Sequence, residues 1–357
     1  MLLSGGVDSS VAMALLKEQG YRVTAFYLKI WLEDELAHLG ECPWEEDWRY
    51  ASSVAKDLGV PLEAVSLQRE YWDQVVQYLI DESRRGRTPN PDIMCNSRIK
   101  FGMFHDYVGQ HFSAIASGHY AQQRINEHDG SAQLIMSPDR IKDQTYFLCN
   151  MDQRQMSHAR FPLGGLDKSE VRAMAHKLAL ATEARKDSQG ICFLGKLKFD
   201  DFVGHHLGEM PGLVREFGTG RELGEHRGLW FHTIGQRKGL GGATRKFTHE
   251  GPWFVAGKDV AANTLLVTNR YDLIQEPRRA FGVEDINWIA GHPPVLQADS
   301  SLDLTVKCRH GPNMHECNLQ VGGSDMRQGH VQLESRDSGL APGQWAAFYR
   351  GQECLGG

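Results

Sequence analysis

The sequence predicts an α/β fold in three parts. These are an N-terminal catalytic domain on a parallel sheet (residues 1–199), a small central mixed domain (200–275) and a C-terminal β-barrel (276–357). Three observations carry this. In the first half, apolar runs of strand length alternate with stretches of helical period, as βα units do. Between Gly208 and Gly242 glycines crowd together and long helical patterns cease. From Arg279 onward, apolar and polar residues alternate in short, regularly spaced runs, which suits a barrel. A chain of 357 residues has ample core for two or three domains.

The elements follow in order. A first helix, opened by residues 4–10, ends near Gly20, a natural C-cap. Residues 22–30 read as a buried strand, and 45–58 as a helix with Trp48, Ala51, Ala55 and Leu58 on one face. Residues 61–67 form the second strand. A helix over 71–85 carries Val75, Val76, Leu79 and Ile80, a further helix spans 97–108, and 112–117 is the next strand. Asp167 and Glu170 make a capping box for a helix over 168–178. In the barrel, Leu302, Leu304, Val306 and Cys308 alternate with polar residues, as do Cys317, Leu319 and Val321, then Val331 and Leu333, then Trp345 and Ala347. Met1–Leu3 supply only the last residues of the central strand that should precede the first loop, and the chain stops directly after a strand-like run. Both ends therefore read as clipped. On that reading the protein is marginally stable until a short apolar extension before Met1 completes the strand.

A hydrophobic share of 41% and a charged share of 24% are ordinary for a globular protein. No apolar stretch approaches the ~20 residues needed to span a bilayer. The formal net charge of −6 does not mark a nucleic-acid binder, so any such role rests on local basic patches. The seven cysteines (Cys42, Cys95, Cys149, Cys192, Cys308, Cys317, Cys354) are odd in number, scattered and free of any C-x-x-C pair. That argues against a zinc site or a secreted disulfide framework. Most read as buried thiols, with one or two redox-active.

Three segments carry chemistry. Ser4-Gly5-Gly6-Val7-Asp8-Ser9-Ser10 opens the first helix. Gly5 and Gly6 let the backbone bend and approach a ligand closely. The serine hydroxyls and the unpaired first amides of the helix suit a phosphate or pyrophosphate. Asp8 would repel such an anion unless it serves a cation, so it reads as a magnesium partner. A Gly-Gly turn with a Ser/Asp cap is the plainer reading of the same loop. The later run from Gly190 to Leu197 imitates a Walker loop, but Leu197 stands where a hydroxyl must reach magnesium, which excludes it.

Pro89-Asn90-Pro91-Asp92-Ile93-Met94-Cys95-Asn96 is the second segment. Its prolines stiffen the chain and keep Thr88 and Asn90 extended, so a carboxylate, a thiol and two amides project from a short rigid loop. Alone, it reads equally as a structural turn and as an active loop. The third, Asp187-Ser188-Gln189-Gly190-Ile191-Cys192-Phe193, follows Arg185 and Lys186, cations that favour a thiolate. Cys192 is thus either a buried spectator or a reactive thiol. Basic residues cluster beside these segments: Arg84, Arg85 and Arg87, then Arg98 and Lys100, then Arg185 and Lys186, then Arg237 and Lys238. They read as phosphate contacts or as ordinary solvated surface.

Together these segments resemble the tRNA-specific 2-thiouridylase family, a branch of the ATP-pyrophosphatase (PP-loop) superfamily. Gly118-His119-Tyr120, Lys142-Asp143-Gln144-Thr145-Tyr146-Phe147-Leu148 and His232-Thr233-Ile234-Gly235-Gln236-Arg237-Lys238-Gly239-Leu240 extend the resemblance, in the family's order, over nearly the entire chain. The resemblance implies a Rossmann-like PP-loop domain that binds ATP through Ser4, Gly5, Gly6, Val7, Asp8 and Ser9, with Leu28 and Gly118, and Mg2+ at Asp8. It implies that Asn90, Pro91 and Asp92 meet the target base, with Asp92 as general acid/base. Cys95 would be the nucleophile and Cys192 the persulfide carrier. Contacts to tRNA would come from His119, Lys142, Asp143, Gln144, Arg309, His310 and Gln344. His310 departs from the family's usual pattern around Arg309.

The implied activity is ATP-dependent 2-thiolation of the wobble uridine in tRNAs for Lys, Glu and Gln. Adenylation makes the C2 oxygen a leaving group, and sulfur then arrives from the Cys192 persulfide. Direct attack of the persulfide sulfur and prior release of hydrosulfide by Cys95 both remain open. The implied partners are tRNA and a persulfide sulfur-donor protein, without a membrane, the chain acting as a monomer or, alternatively, as an oligomer. The compartment is the cytoplasm in a bacterium, or the mitochondrial matrix or plastid stroma in a eukaryote. Competing readings are a PP-loop enzyme with a small-molecule acceptor, which lacks a glutaminase-type segment here, and an inactive tRNA-binding protein.

Overall fold

The computed structural model describes residues 1–30, 44–186, 198–237, 239–240, 242, 244–270, 278–294, 301–337 and 339–357. Cys42, Cys192, Lys238 and the Walker-like run lie outside the described residues.

Met1–Leu3 run beside β1 (Ala25–Lys29): Leu3 N donates to Phe26 O at 2.9 Å, and Phe26 N to Met1 O at 2.8 Å. On the other side Leu2 N donates to Ala116 O of β3 (Ile115–Ala116) at 2.8 Å. β1 pairs in parallel with β2 (Leu62–Ser66), and β3 with β6 (Ala159–Arg160). The order is therefore β2, β1, Met1–Leu3, β3, β6. Helices cover both faces, as a parallel sheet requires. On one face α1 (Val7–Glu18), α2 (Trp44–Asp57) and α6 (Lys168–Lys177) bury Val11, Met13, Ala51, Val54, Val171 and Ala175. On the other, α3 (68–84) and α4 (91–107) bury Val75, Val76, Leu79, Ile93, Ile99 and Phe104 against Phe26. Both of these helices contain a π-helical stretch, Trp72–Val76 and Cys95–Met103. The short α5 (Gln153–His158) precedes β6. The predicted capping box opens α6 with both of its bonds present.

Two elements differ from expectation. The Pro89–Asn96 segment is not a loop throughout, because the helix predicted from 97 begins at Pro91. Proline is well suited to the first helical position, where its missing N–H costs nothing. The second is a hairpin the periodicity did not reveal, β4 (Ala121–Ile125) and β5 (Ala132–Met136).

The central segment holds α7 (Phe199–Leu207) and four short strands, β7 (Gly212–Glu216), β8 (Glu222–His226), β9 (Phe254–Asp259) and β10 (Thr264–Thr268), in the order β8-β7-β10-β9. The last segment contributes β11 (Arg278–Val283), β12 (Ser301–Lys307), β13 (His315–Gly322), β14 (Gln328–Asp337), β15 (Ala347–Arg350) and β16 (Glu353–Gly356). Leu302, Leu304, Val306, Cys308, Cys317, Leu319, Val331 and Leu333 share its core, as their alternation predicts. β16 pairs with β5, so the β4–β5 hairpin extends the barrel sheet, in the order β11-β14-β13-β12-β15-β16-β5-β4. A continuous sheet thus joins the first and last thirds of the chain.

Candidate active site

Three pieces of chain end together at the carboxyl edge of the parallel sheet: the loop after Met1–Leu3, Leu28 near the end of β1, and Gly118 after β3. Ligands of open α/β sheets bind at such edges. Gly5 has φ +76°, a conformation that favours glycine. Ser9 Oγ lies 3.1 Å from Ser4 Oγ, and Ser10 Oγ donates to Gly6 O at 2.8 Å, so the hydroxyls fold inward and fix the loop. Gly118 lies against it: a Cβ there would stand 2.8 Å from Ser9 N and 3.0 Å from Asp8 C. The first amides of α1 have no intrahelical acceptor. A tight glycine-lined cradle of helix amides and hydroxyls fits a polyphosphate.

Asp8 sits in the first turn of α1 and already has a cation. Lys168 Nζ, at the start of α6, donates to Asp8 Oδ1 at 2.6 Å, and Tyr120 OH donates to the same oxygen at 2.8 Å. The charge argument for magnesium is therefore met in part by the protein itself. Arg185 closes the far side, where Nη1 donates to Gly5 O, Nη2 pairs with Asp47, and the guanidinium stacks over Tyr50 at 4.6 Å. Sequence reasoning placed Tyr120 in a motif but missed its contact with Asp8, and it missed Lys168 and Asp47 as parts of the site. Only the capping box hinted that Lys168 would open a helix.

Asn90 caps α4, accepting from Asp92 N at 3.1 Å and Ile93 N at 3.4 Å. It lies near the hydroxyls of Tyr78 and Tyr146, and offsets in small part the rise that burial gives both phenols. Asp92 is half-buried in the first turn, and Cys95 ends that turn, fully buried beside Ile93 and Met94. One helical turn thus gathers Asn90, Pro91, Asp92 and Cys95. Asn96 connects onward, donating to Phe147 O at 3.0 Å and accepting from Lys100 Nζ at 2.9 Å.

His119 follows Gly118 and packs between Phe101 and Phe161, with ring centroids at 6.4 and 6.2 Å. Its Nδ1 lies 2.8 Å from Ser117 Oγ. Burial, then Lys100, pulls its pKa down to about 3, so the imidazole is neutral near pH 7 and is not a cation for phosphate.

The expected tRNA contacts separate on inspection. Asp143 is a correction. It is 1% exposed, and its carboxylate takes Lys307 Nζ at 2.8 Å, Thr145 Oγ1 at 2.8 Å and Ser137 N at 3.1 Å. This buried, saturated carboxylate joins the two ends of the chain and has no exposed oxygen to offer RNA. Gln144 is also occupied, accepting from Tyr120 N at 2.9 Å, and Arg309 pairs with Asp337 at 2.8 Å. His310 is exposed and stacks on Phe147 at 4.7 Å. Burial first, then Lys307 and Lys142, lower its pKa against the charges of Asp143 and Asp92, which puts it beside both the Lys142 segment and the α4 turn. Gln344 Oε1 accepts from Ala341 N at 2.9 Å, next to Trp345, whose Nε1 donates to Tyr78 OH at 3.3 Å. Several cations expected to face phosphates are neutralised, with Arg84 on Asp81 at 2.9 Å and Arg85 and Arg87 on Glu82 at 3.0 and 3.3 Å. Among the described residues no helix is long and apolar enough to cross a membrane.

Three family models match the chain: a tRNA methyl transferase HUP domain over residues 1–196, a tRNA methyl transferase PRC-barrel domain over 200–269, and an aminomethyltransferase beta-barrel domain over 278–357. Among solved structures, an NMN synthetase from Francisella tularensis gives a TM-score of only 0.34 at 16% identity, over 57% of this chain and 70% of that one. The curated relatives are much nearer. The tRNA-specific 2-thiouridylase MnmA 1 of Bacteroides thetaiotaomicron is 44% identical over 98% of this chain and 94% of its own length. MnmA 2 of Bacteroides fragilis is 44% identical over 99% and 97%, and MnmA of Porphyromonas gingivalis 42% identical over 98% and 94%. With such identity along almost the whole of both chains, the protein belongs to the tRNA-specific 2-thiouridylase family.

Proposed function

We propose that this protein is an ATP-consuming tRNA-uridine 2-sulfurtransferase that thiolates C2 of the wobble uridine in tRNAs for Lys, Glu and Gln. Identity of 44% across 98% of the chain to a tRNA-specific 2-thiouridylase supports this most strongly. The HUP-domain family implies a nucleotide substrate, and the cradle formed by Ser4 to Ser9 with Leu28 and Gly118 suits ATP. A magnesium ion at Asp8 would supply charge that offsets the departing pyrophosphate. The amides of α1 act on the same leaving group.

Asn90, Pro91 and Asp92 receive the uridine, which must first leave its stack, and Asp92 moves the proton. Cys192 carries the sulfur as a persulfide. In one route its terminal sulfur bonds to C2 as AMP leaves. The Cys95 thiolate then bonds to the Cys192 sulfur, and the broken S–S electron pair stays on the transferred sulfur. In the other, Cys95 releases hydrosulfide first, and the hydrosulfide attacks C2. Either route ends with a Cys95–Cys192 disulfide. Lys142 and His310 lead the tRNA contacts, with His119, Gln144, Arg309 and Gln344 around them. Residues 1–199 perform the chemistry while 200–275 and 276–357 hold tRNA. A persulfide-donor protein reloads Cys192, and the bacterial relatives suggest the cytoplasm as the compartment.

Mass spectrometry of nucleosides tests this, using tRNA incubated with the protein, ATP, magnesium and a persulfide source. The expected product is 2-thiouridine, with AMP and pyrophosphate formed in equal amounts. Nucleotide turnover without thiolated tRNA would overturn the proposal.

A further inference from the structure

Asp8 poses a problem of charge. It lies in the first turn of α1, where the helix dipole favours an anion, yet the same amides are the best place for an incoming phosphate. Both cannot sit there unless a cation mediates. Lys168 is placed to do so. Its Nζ is 2.6 Å from Asp8 Oδ1, its side chain is only 16% exposed, and its ammonium lies 5.8 Å from the centre of the Tyr120 ring. The root of the side chain is fixed twice. Lys168 N donates to Asp139 Oδ2 at 3.2 Å, and Asp167 and Glu170 close the capping box around the start of α6. An ammonium carries three donors, so contact with Asp8 is compatible with a second acceptor such as a phosphate oxygen.

We propose that Lys168 is a pyrophosphate-binding residue of the adenylation site, bridging Asp8 to the β- and γ-phosphates that leave as pyrophosphate. This rests on the reading of the Ser4–Ser10 loop as an ATP site. Charge and geometry both support it: α6 delivers a fixed cation to the one carboxylate of the loop, and the hydroxyl of Tyr120 holds that carboxylate in place at 2.8 Å. Asp139 Oδ1 also accepts from Lys142 N at 3.1 Å, so the carboxylate that fixes Lys168 is shared with the Lys142 segment.

The test is equilibrium binding of ATP and of AMP to the full chain, without turnover, in the presence of magnesium. AMP lacks the two phosphates assigned to Lys168. Lys168→Gln is expected to weaken ATP at least about tenfold, roughly 1.4 kcal/mol, while changing AMP less than about twofold. The double variant Asp8→Asn with Lys168→Gln, compared with the parent in the absence of magnesium so that the metal role proposed for Asp8 does not enter, separates two roles. If Lys168 meets phosphate, ATP binding stays weak. If Lys168 merely neutralises Asp8, removing both charges restores ATP binding, and the proposal falls. It falls equally if Lys168→Gln binds ATP like the parent, or loses ATP and AMP in the same proportion. Should Lys168→Gln not fold, Lys168→Arg replaces it. A several-fold change in the ATP-to-AMP affinity ratio at constant AMP affinity is expected, and an unchanged ratio overturns the idea. A parent protein that binds neither nucleotide would instead remove the ATP reading itself, and this inference with it.

Discussion

Cys308, Cys317 and Cys354 have thiols pushed up to about 12, and Cys149 lies well above its ordinary value, in each case chiefly through burial. Such groups stay protonated near neutrality and supply no thiolate. These four thiols therefore do not fit the sulfur chemistry proposed for Cys95 and Cys192. We expect Cys95→Ser and Cys192→Ser each to abolish 2-thiouridine formation, whereas Cys149→Ala or Cys354→Ala keeps the rate per folded molecule within about twofold. Alanine is the right probe there, because serine would bury an unpaired hydroxyl at about 1–3 kcal/mol. A Cys192→Ser variant that thiolates at the parent rate would exclude the persulfide route. Histidines set a pH dependence at the same scale. His232 is 6% exposed, and its pKa is lowered by burial first, then by His226, Lys258 and Arg227, to about 4. The unfolded value is about 6.5, so between those limits the unfolded chain binds more protons than the folded one. Stability is then complete above about pH 6.5 and is lost as pH falls toward 4, by at most about 1.4 kcal/mol per unit from this imidazole. His119 acts in the same direction over a wider window. Urea midpoints measured from pH 7.5 to 4.5 should fall steadily, and His232→Asn should flatten the curve. An identical slope in that variant would show that His232 is not the group involved.

At the scale of elements, α4 combines a structural cap with the proposed base contact, and Asn90 serves both. Asn90→Ala should cost about 1 kcal/mol through loss of the cap and should also lose activity. Asn90→Asp keeps an N-cap oxygen while replacing the neutral amide proposed to meet the base with a carboxylate. We expect its melting temperature to stay near that of the parent while kcat/KM for tRNA falls at least about tenfold. Full activity in Asn90→Asp would reduce Asn90 to a cap. What could be read in the sequence follows from how local each signal is. The capping box at Asp167, the buried face of α3 and the alternation of β12 to β14 are written in neighbouring residues, and all three appear where they were expected. The start of α4 was obscured because proline is equally at home in a rigid loop and at a first helical position. The β4–β5 hairpin escaped notice because its second strand pairs with β16, more than 200 residues away, and no local period records that. The ATP loop was legible as a motif, but its link to Lys168 spans 160 positions and exists only in three dimensions.

Over the whole molecule, the α4 turn is held from three sides. Thr88 N donates to Pro342 O at 2.8 Å, Lys258 Nζ donates to Gly86 O at 3.2 Å, and Arg87 reaches Glu284 at 3.5 Å. With so many arginines already paired, tRNA affinity should depend on few cations despite the net charge of −6. Lys142→Ala should flatten the slope of log affinity against log salt by about one unit, and Arg85→Ala by much less. Equal changes in the two variants would mean that the ion pairs open on binding. A fully buried tie is Lys307 with Asp143, a pair with side chains 1% and 0% exposed at 2.8 Å. It joins β12 to the segment that leads through Gln144 and Tyr120 to Asp8. Thr145 Oγ1 and Tyr349 OH stand 3.1 Å apart in the same junction. Removing one partner of such a pair leaves a buried charge uncompensated, at about 3–5 kcal/mol, whereas removing both is often nearly neutral. Lys307→Met should therefore destabilise the protein by that amount in urea unfolding. Lys307→Met with Asp143→Asn should recover most of the loss, since the neutral amide keeps an oxygen that accepts from Ser137 N and Thr145 Oγ1. Because the strain falls on the junction rather than on the loop, the single variant should lose tRNA affinity before ATP affinity. A single variant within about 1 kcal/mol of the parent would show that the pair contributes little to joining the barrel to the nucleotide domain, and the continuous sheet through β16 and β5 would then carry that role alone.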